Sequence, residues 1–354
     1  MKAYDAALIS QFGEHIRMSE FIGIHAPAKI IADQEYTIKR AAKRKQKSKL
    51  AASYLEAIFI EGVNVGGWLG DGDAYQTLAW PTAIYDDISH RVDTVVNLIF
   101  RQPIHSHDGK DTLQQVTIGF DVTVGGAPSK VLDKLTRHYS DQARLPFGFS
   151  HLDYYFDGQH RSIKPLLIRY VIGVNIHEVL EIWGDTQSDP SASNHLSAFR
   201  PNSPASLQMR FKILSEIRRQ NMFYYAMLPE DQDDRVIRTA ALQLDAVDEC
   251  LNASLRDCTK QIVARRVVPS AIFAIKQRGR KVCSERDIIE EYLVTENQRR
   301  YRNRDPFTQI MGQTRKLLDS LYNESEDSRV RQALTRRRKI MVQNQALQIS
   351  PANL

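Results

Sequence analysis

The sequence predicts an α/β fold followed by a second, all-helical domain. Three observations carry this. β-branched runs alternate with helical stripes as far as residue 183, and Leu166–Val174 is apolar almost without a break, as a parallel strand buried on both faces should be. A stretch rich in Ser, Pro, Asn and Asp follows at 185–204. Beyond it, apolar residues recur at helical spacing only.

Residues 1–38 form an unassigned N-terminal segment, with Pro27 and scattered apolar patches. From Lys39 to Glu61 the recurrence of Leu50, Tyr54, Leu55, Ile58 and Phe59 predicts a helix, which the glycines from Gly62 to Gly72 end. Tyr75–Trp80 and Thr82–Tyr85 read as strand around Pro81. Val92–Phe100 and Val116–Val124 read as an antiparallel hairpin with a long polar loop. Ser129 is a candidate N-cap for a helix from Lys130 to Gln142, with Val131, Leu135 and His138 on one face and Lys130 and Lys134 on another. The strand Leu166–Val174 and a helix from His177 to Trp183 complete an α/β domain at 39–184, and 185–204 is the expected linker. A helical domain spans 205–345 and a tail 346–354. In it Val236, Ala240, Leu244, Val247, Leu251, Leu255, Cys258 and Ile262 form one stripe, which suits packing in a bundle or a homodimer. Pro269 should break that helix, and Ser284–Asp287 resembles a capping box opening another.

Composition bounds the function. At 354 residues, 42% hydrophobic and 25% charged, the chain is ordinary for a globular protein. It has no apolar run long enough to cross a membrane, and Met1-Lys-Ala-Tyr-Asp-Ala lacks a secretory h-region. Three scattered cysteines suit neither a disulfide framework nor a zinc site, so a reducing cytoplasm is expected. The net charge of +6 favours polyanions. It is concentrated in Lys39–Lys49, which includes Lys43, Arg44, Lys45, Lys47 and Lys49, in Arg336, Arg337, Arg338 and Lys339, and in Arg299, Arg300, Arg302 and Arg304. Such clusters neutralise nucleic-acid phosphates or are solvated helix faces; their coexistence favours nucleic acid.

The most informative residues are Asp93 and Asp121, each inside an apolar, strand-like run. A carboxylate there must be paired, hydrogen-bonded, protonated or bound to a cation. Two on consecutive strands suggest one shared divalent cation, since magnesium takes hard oxygen ligands and needs few from the protein. The plainer readings are a strand-end cap or a pair with Arg91 for Asp93, and solvent-facing positions for Glu56, Glu61, Lys130 and Lys134. His105-Ser-His107-Asp108 lacks partners at zinc spacing and reads as a hairpin tip. Tyr154-Tyr155-Phe156 reads as packed aromatics before base-stacking ones.

With Glu56 and Glu61 on the first helix, Asp93 and Asp121 on the second and third strands, and Lys130 and Lys134 on the next helix, residues 40–183 resemble the αβββαβ core of the PD-(D/E)XK, restriction-endonuclease-like nuclease superfamily. The resemblance, to a divergent member, places the first acidic position on Asp93 in Val92-Asp-Thr-Val-Val and the second on Asp121 in Gly119-Phe-Asp-Val-Thr-Val-Gly125. It implies Mg²⁺ or Mn²⁺ held by Asp93 and Asp121, a helix glutamate at Glu56 or Glu61, and hydrolysis of phosphodiester bonds, in DNA ahead of RNA. The chain departs from the pattern at Thr123, where the family has lysine, so Lys130 or Lys134 is expected in that role. An inactive nucleic-acid binder on the same core, or a helical scaffold protein, is the alternative.

Overall fold

A computed structural model describes residues 17–41, 49–70, 75–105, 112–124, 128–143, 152–156, 161–162, 167–187, 200–228, 235–270, 272–273, 284–301 and 305–324. After a short 3₁₀ turn at Met18–Phe21, α1 runs over Pro27–Ala41 and α2 over Lys49–Asn64. The stretch expected as one helix from Lys39 falls partly in α1, which holds Lys39 and Arg40, and partly in α2, and residues 42–48 lie outside the described residues. β1 (Tyr75–Pro81) ends at Pro81, on a sheet-edge strand that tolerates the missing N–H. Thr82–Tyr85 does not continue as strand. A short helix α3 (Ile84–Ser89) begins there, with Asp86 and Asp87 in its first turn, where the helix dipole favours acids.

β2 (Thr94–His105) and β3 (Thr112–Val124) form the expected antiparallel hairpin. α4 (Pro128–Ala143) leads, through the two-residue strands β4 (Tyr155–Phe156) and β5 (Arg161–Ser162), to β6 (Leu167–Val174). β6 pairs parallel with β3, so the sheet is open and mixed, in the order β1-β2-β3-β6. α5 (Ile176–Gln187), α6 (Pro204–Met227), α7 (Arg235–Ala264), α8 (Glu285–Tyr301) and α9 (Pro306–Glu324) follow. α7 stops before Pro269. The box at the head of α8 is reciprocal: Asp287 N–H donates to Ser284 Oγ (3.3 Å) and Ser284 N–H to Asp287 Oδ2 (3.2 Å).

The apolar core is continuous across the expected linker. Tyr54, Phe59, Phe120 and Tyr170 belong to one cluster with Leu207, Tyr224, Leu244, Leu255 and Ile310, so the helices after residue 204 pack on the sheet itself. The α7 stripe from Ala240 to Ile262 is buried within the chain. Residues 188–199 of the expected linker lie outside the described residues.

α6 closes the free edge of β6. Glu216 Oε2 accepts from Gly173 N–H (3.0 Å), Gln220 accepts from Val171 N–H (2.9 Å) and donates to Val171 O (2.7 Å), and Tyr224 Oη donates to Arg169 O (2.5 Å). The spacing explains the fit: four helix residues rise about 6 Å and two strand residues about 6.6 Å. On the sheet face, α9 sits directly over Gly173, where a Cβ would meet Pro306 Cβ at 2.6 Å and Ile310 Cδ1 at 2.8 Å. Gly173→Val is expected to cost about 2 kcal/mol or more in urea denaturation, because Pro306 is backbone-locked and cannot retreat.

Candidate metal centre

The hairpin register brings the two sequence-predicted acids together. Thr94 pairs with Phe120, and Asp93, just before β2, donates its N–H to Phe120 O (2.8 Å). Asp93 therefore stands opposite Asp121, and residues opposed across antiparallel strands share a face, with Cβ atoms about 5 Å apart. Both lie at the end of the sheet where β3 and β6 terminate, the end at which open α/β sheets hold ligands. The opposite side of β3 is core, where Phe120 packs on Phe59 of α2 with ring centres 5.0 Å apart.

α4 supplies the partners. Lys134 Nζ donates to Asp121 Oδ1 and to Val122 O (3.1 Å), and His138 Nε2 lies 3.1 Å from Asp121 Oδ2. Because that oxygen is an acceptor, His138 donates from Nε2. Val122 N–H in turn donates to Asp93 Oδ2 (2.7 Å). One residue of β3 thus touches both arms of the site through its two backbone polar groups. His138 has the buried face of α4, with Val131 and Leu135, expected from sequence. Its role escaped that reading because a histidine on an apolar stripe looks like core. The usable signal was its spacing of one helical turn from Lys134.

Glu56 and Asp87 complete the cluster. Both are buried. Asp93 is held well above the ordinary carboxyl range, first by burial and then by the charges of Asp87, Glu56 and Asp121, against the pull of Lys134. At Asp121 burial pushes upward too, but Lys134 and His138 outweigh it and hold the carboxyl below its ordinary value. Lys134 is correspondingly raised: its own burial opposes this, and Asp121, Asp93 and Asp87 prevail. Burial lowers His138, with Asp121 opposing, so the ring is neutral near pH 7. Four carboxyl groups therefore act on one another here, and Asp121, the one held ionised, carries an ammonium and an imidazole as partners. An all-oxygen donor set with surplus negative charge fits a hard divalent cation such as Mg²⁺ or Mn²⁺.

Glu61 does not join them. Glu56 and Glu61 are five residues apart, about 140° round the helix, so one face cannot present both. Glu61 is buried, and burial pushes its carboxyl from 4.5 up to about 7. Between those values the folded chain keeps a proton that the unfolded chain has lost, so stability falls as pH rises through that window. Glu61→Gln is expected to be neutral at about pH 4 and stabilising by about 2 kcal/mol at about pH 8 in urea denaturation. Lys130 lies on α4, but its side chain, like those of Lys43, Arg44, Lys45, Lys47, Lys49, Arg336, Arg337, Arg338 and Lys339, falls outside the described residues. Arg299 and Arg300, in the third basic cluster, both turn back onto Glu296.

The sequence reading missed a second cluster on the other side of α3. Among the described residues, Asp86, His90 and Asp153 are the one group of three whose ligand atoms lie within 4.8 Å of one another, a closeness that no three of Glu56, Asp87, Asp93 and Asp121 reach. Asp86 is fully buried and accepts from the N–H groups of Asp153 (2.8 Å) and Tyr154 (3.0 Å). Burial pushes its carboxyl up to about 6, against those N–H groups and His90 and with help from Asp153. Lys29 stands 3.7 Å from Asp153 Oδ2 and 2.5 Å from Asp33. These three ligand atoms are close enough to hold a metal ion, and with Lys29 they also form a clasp between α1, α3 and the 152–156 segment. Tyr154 and Tyr155 are buried in it and beside it, as packed aromatics.

No family model, curated protein or solved structure matches the chain.

Proposed function

We propose that the chain is a metal-dependent endonuclease-like protein that hydrolyses phosphodiester bonds in nucleic acid, DNA ahead of RNA, on a restriction-endonuclease-like core. The observation that carries the reading is the placement of Asp93 opposite Asp121 across the hairpin, with Lys134 of the next helix donating to Asp121. The order of α2, β1, β2, β3, α4 and β6, with three antiparallel strands and a parallel fourth, supports it as well. Lys134 stands where the chain needs a substitute for Thr123: it comes from the next helix and reaches the second acid. Asp93 and Asp121 would hold Mg²⁺ or Mn²⁺, assisted by Glu56 and Asp87. A bound divalent cation supplies an activated water and relief of charge on the leaving oxygen. The part of Lys134 is to orient that water, and that of His138 is to fix the Asp121 carboxylate.

Incubation of the full chain with supercoiled DNA, single-stranded DNA and RNA in Mg²⁺ or Mn²⁺ tests this. Cleavage that chelator stops is the expected result. One observation favours the alternative of an inactive binder: both Asp121 oxygens are already engaged. Salt-sensitive binding without cleavage would select that reading.

A further inference from the structure

We propose that the Lys134 ammonium is the resident counter-cation of Asp121, and that a divalent cation enters the cluster only by displacing it. The inference rests on the metal-dependent reading above and assigns it a regulation: the lysine that handles water is released by the metal that activates water.

The two partners of Asp121 differ in freedom. The His138 side chain is 1% exposed and wedged on the apolar face of α4 beside Val131 and Leu135, so it stays on Oδ2. The Lys134 side chain is 27% exposed, against 1% for His138. Asp121 is 4% exposed and both its oxygens are engaged, so a metal takes Oδ1 only in place of the ammonium. Asp93 is turned to Val122 N–H, and the carboxylates are spread too widely for three of them to share an ion, the arrangement expected while an ammonium occupies the centre. A divalent cation drawn in by Glu56, Asp87 and Asp93 meets a like charge at contact distance. After displacement, Lys134 keeps its second acceptor, Val122 O at 3.1 Å, which holds the amine beside the site.

Metal affinity without substrate reads this directly. Mn²⁺ binding to the full chain is measured by calorimetry and electron paramagnetic resonance, for wild type, Lys134→Met, Lys134→Gln, Lys134→Arg and Asp121→Asn. Circular dichroism verifies folding of each. Removing the charge in Lys134→Met or Lys134→Gln is expected to tighten Mn²⁺ binding about tenfold or more, equivalent to about 1.4 kcal/mol. Lys134→Arg keeps the charge and should bind no tighter than wild type. If Asp121→Asn loses binding while both neutral variants bind like wild type or more weakly, the displacement idea falls and the metal reading stands. If neither wild type nor the neutral variants bind Mn²⁺, both fall.

Discussion

Asp121→Ala is expected to lower Mg²⁺-dependent cleavage at least about a thousandfold, the scale on which a preorganised electrostatic group contributes. Lys134 and His138 both contact Asp121, so its loss removes a ligand and also an anchor of the lysine. The fold should survive. Lys134 keeps Val122 O and the neighbouring charges of Asp93 and Asp87, so no buried cation is stranded. Single-turnover nicking of supercoiled DNA, alongside the urea midpoint, separates lost chemistry from lost structure. Cleavage at the full rate would dismiss Asp121 from the site.

Asp86→Ala should be the most damaging substitution outside that cluster, costing about 3 kcal/mol or more in urea denaturation. Asp86 is fully buried, and its two oxygens satisfy two successive N–H groups, those of Asp153 and Tyr154. Truncation leaves both donors without an acceptor, at about 1–3 kcal/mol each. The damage should reach the neighbouring site as well, since Asp87 follows Asp86 on α3. A midpoint within error of wild type would show that solvent or a neighbour satisfies these groups instead.

Most of the framework was legible in the sequence because its elements follow local rules. The hairpin, the parallel β6, α4 and the α7 stripe each carry their own periodicity, and the α8 cap its own box. Asp93 and Asp121 stood out because burying a charge among Val, Phe and Ile violates the strand pattern. What stayed hidden depends on tertiary partners. Thr82–Tyr85 looked like strand, and the helix that begins there places Asp86 against the N–H groups of Asp153 and Tyr154, far along the sequence. Asp87 carried no such signal, since it follows Asp86 in a polar stretch before β2. Neither Glu56 nor Glu61 could be preferred before the helix was fixed against the sheet. The continuity of the core across 185–204 was hidden for the same reason: α6 reads as an ordinary helix until Glu216, Gln220 and Tyr224 are seen to meet a strand.

That meeting governs how the chain can associate and when it becomes safe. A bare β-edge recruits other strands, and here both rims are guarded by side chains. Gln220 imitates a neighbouring strand on β6, while on β1 Asn64 takes the N–H and C=O of Ala79 at 2.7 and 2.9 Å. Asn64 precedes the strand it guards, so that rim is covered as soon as it forms. Gln220 follows β6 by some fifty residues, so during synthesis the far rim waits until α6 emerges. A fragment ending before Pro204 would carry that rim permanently unguarded.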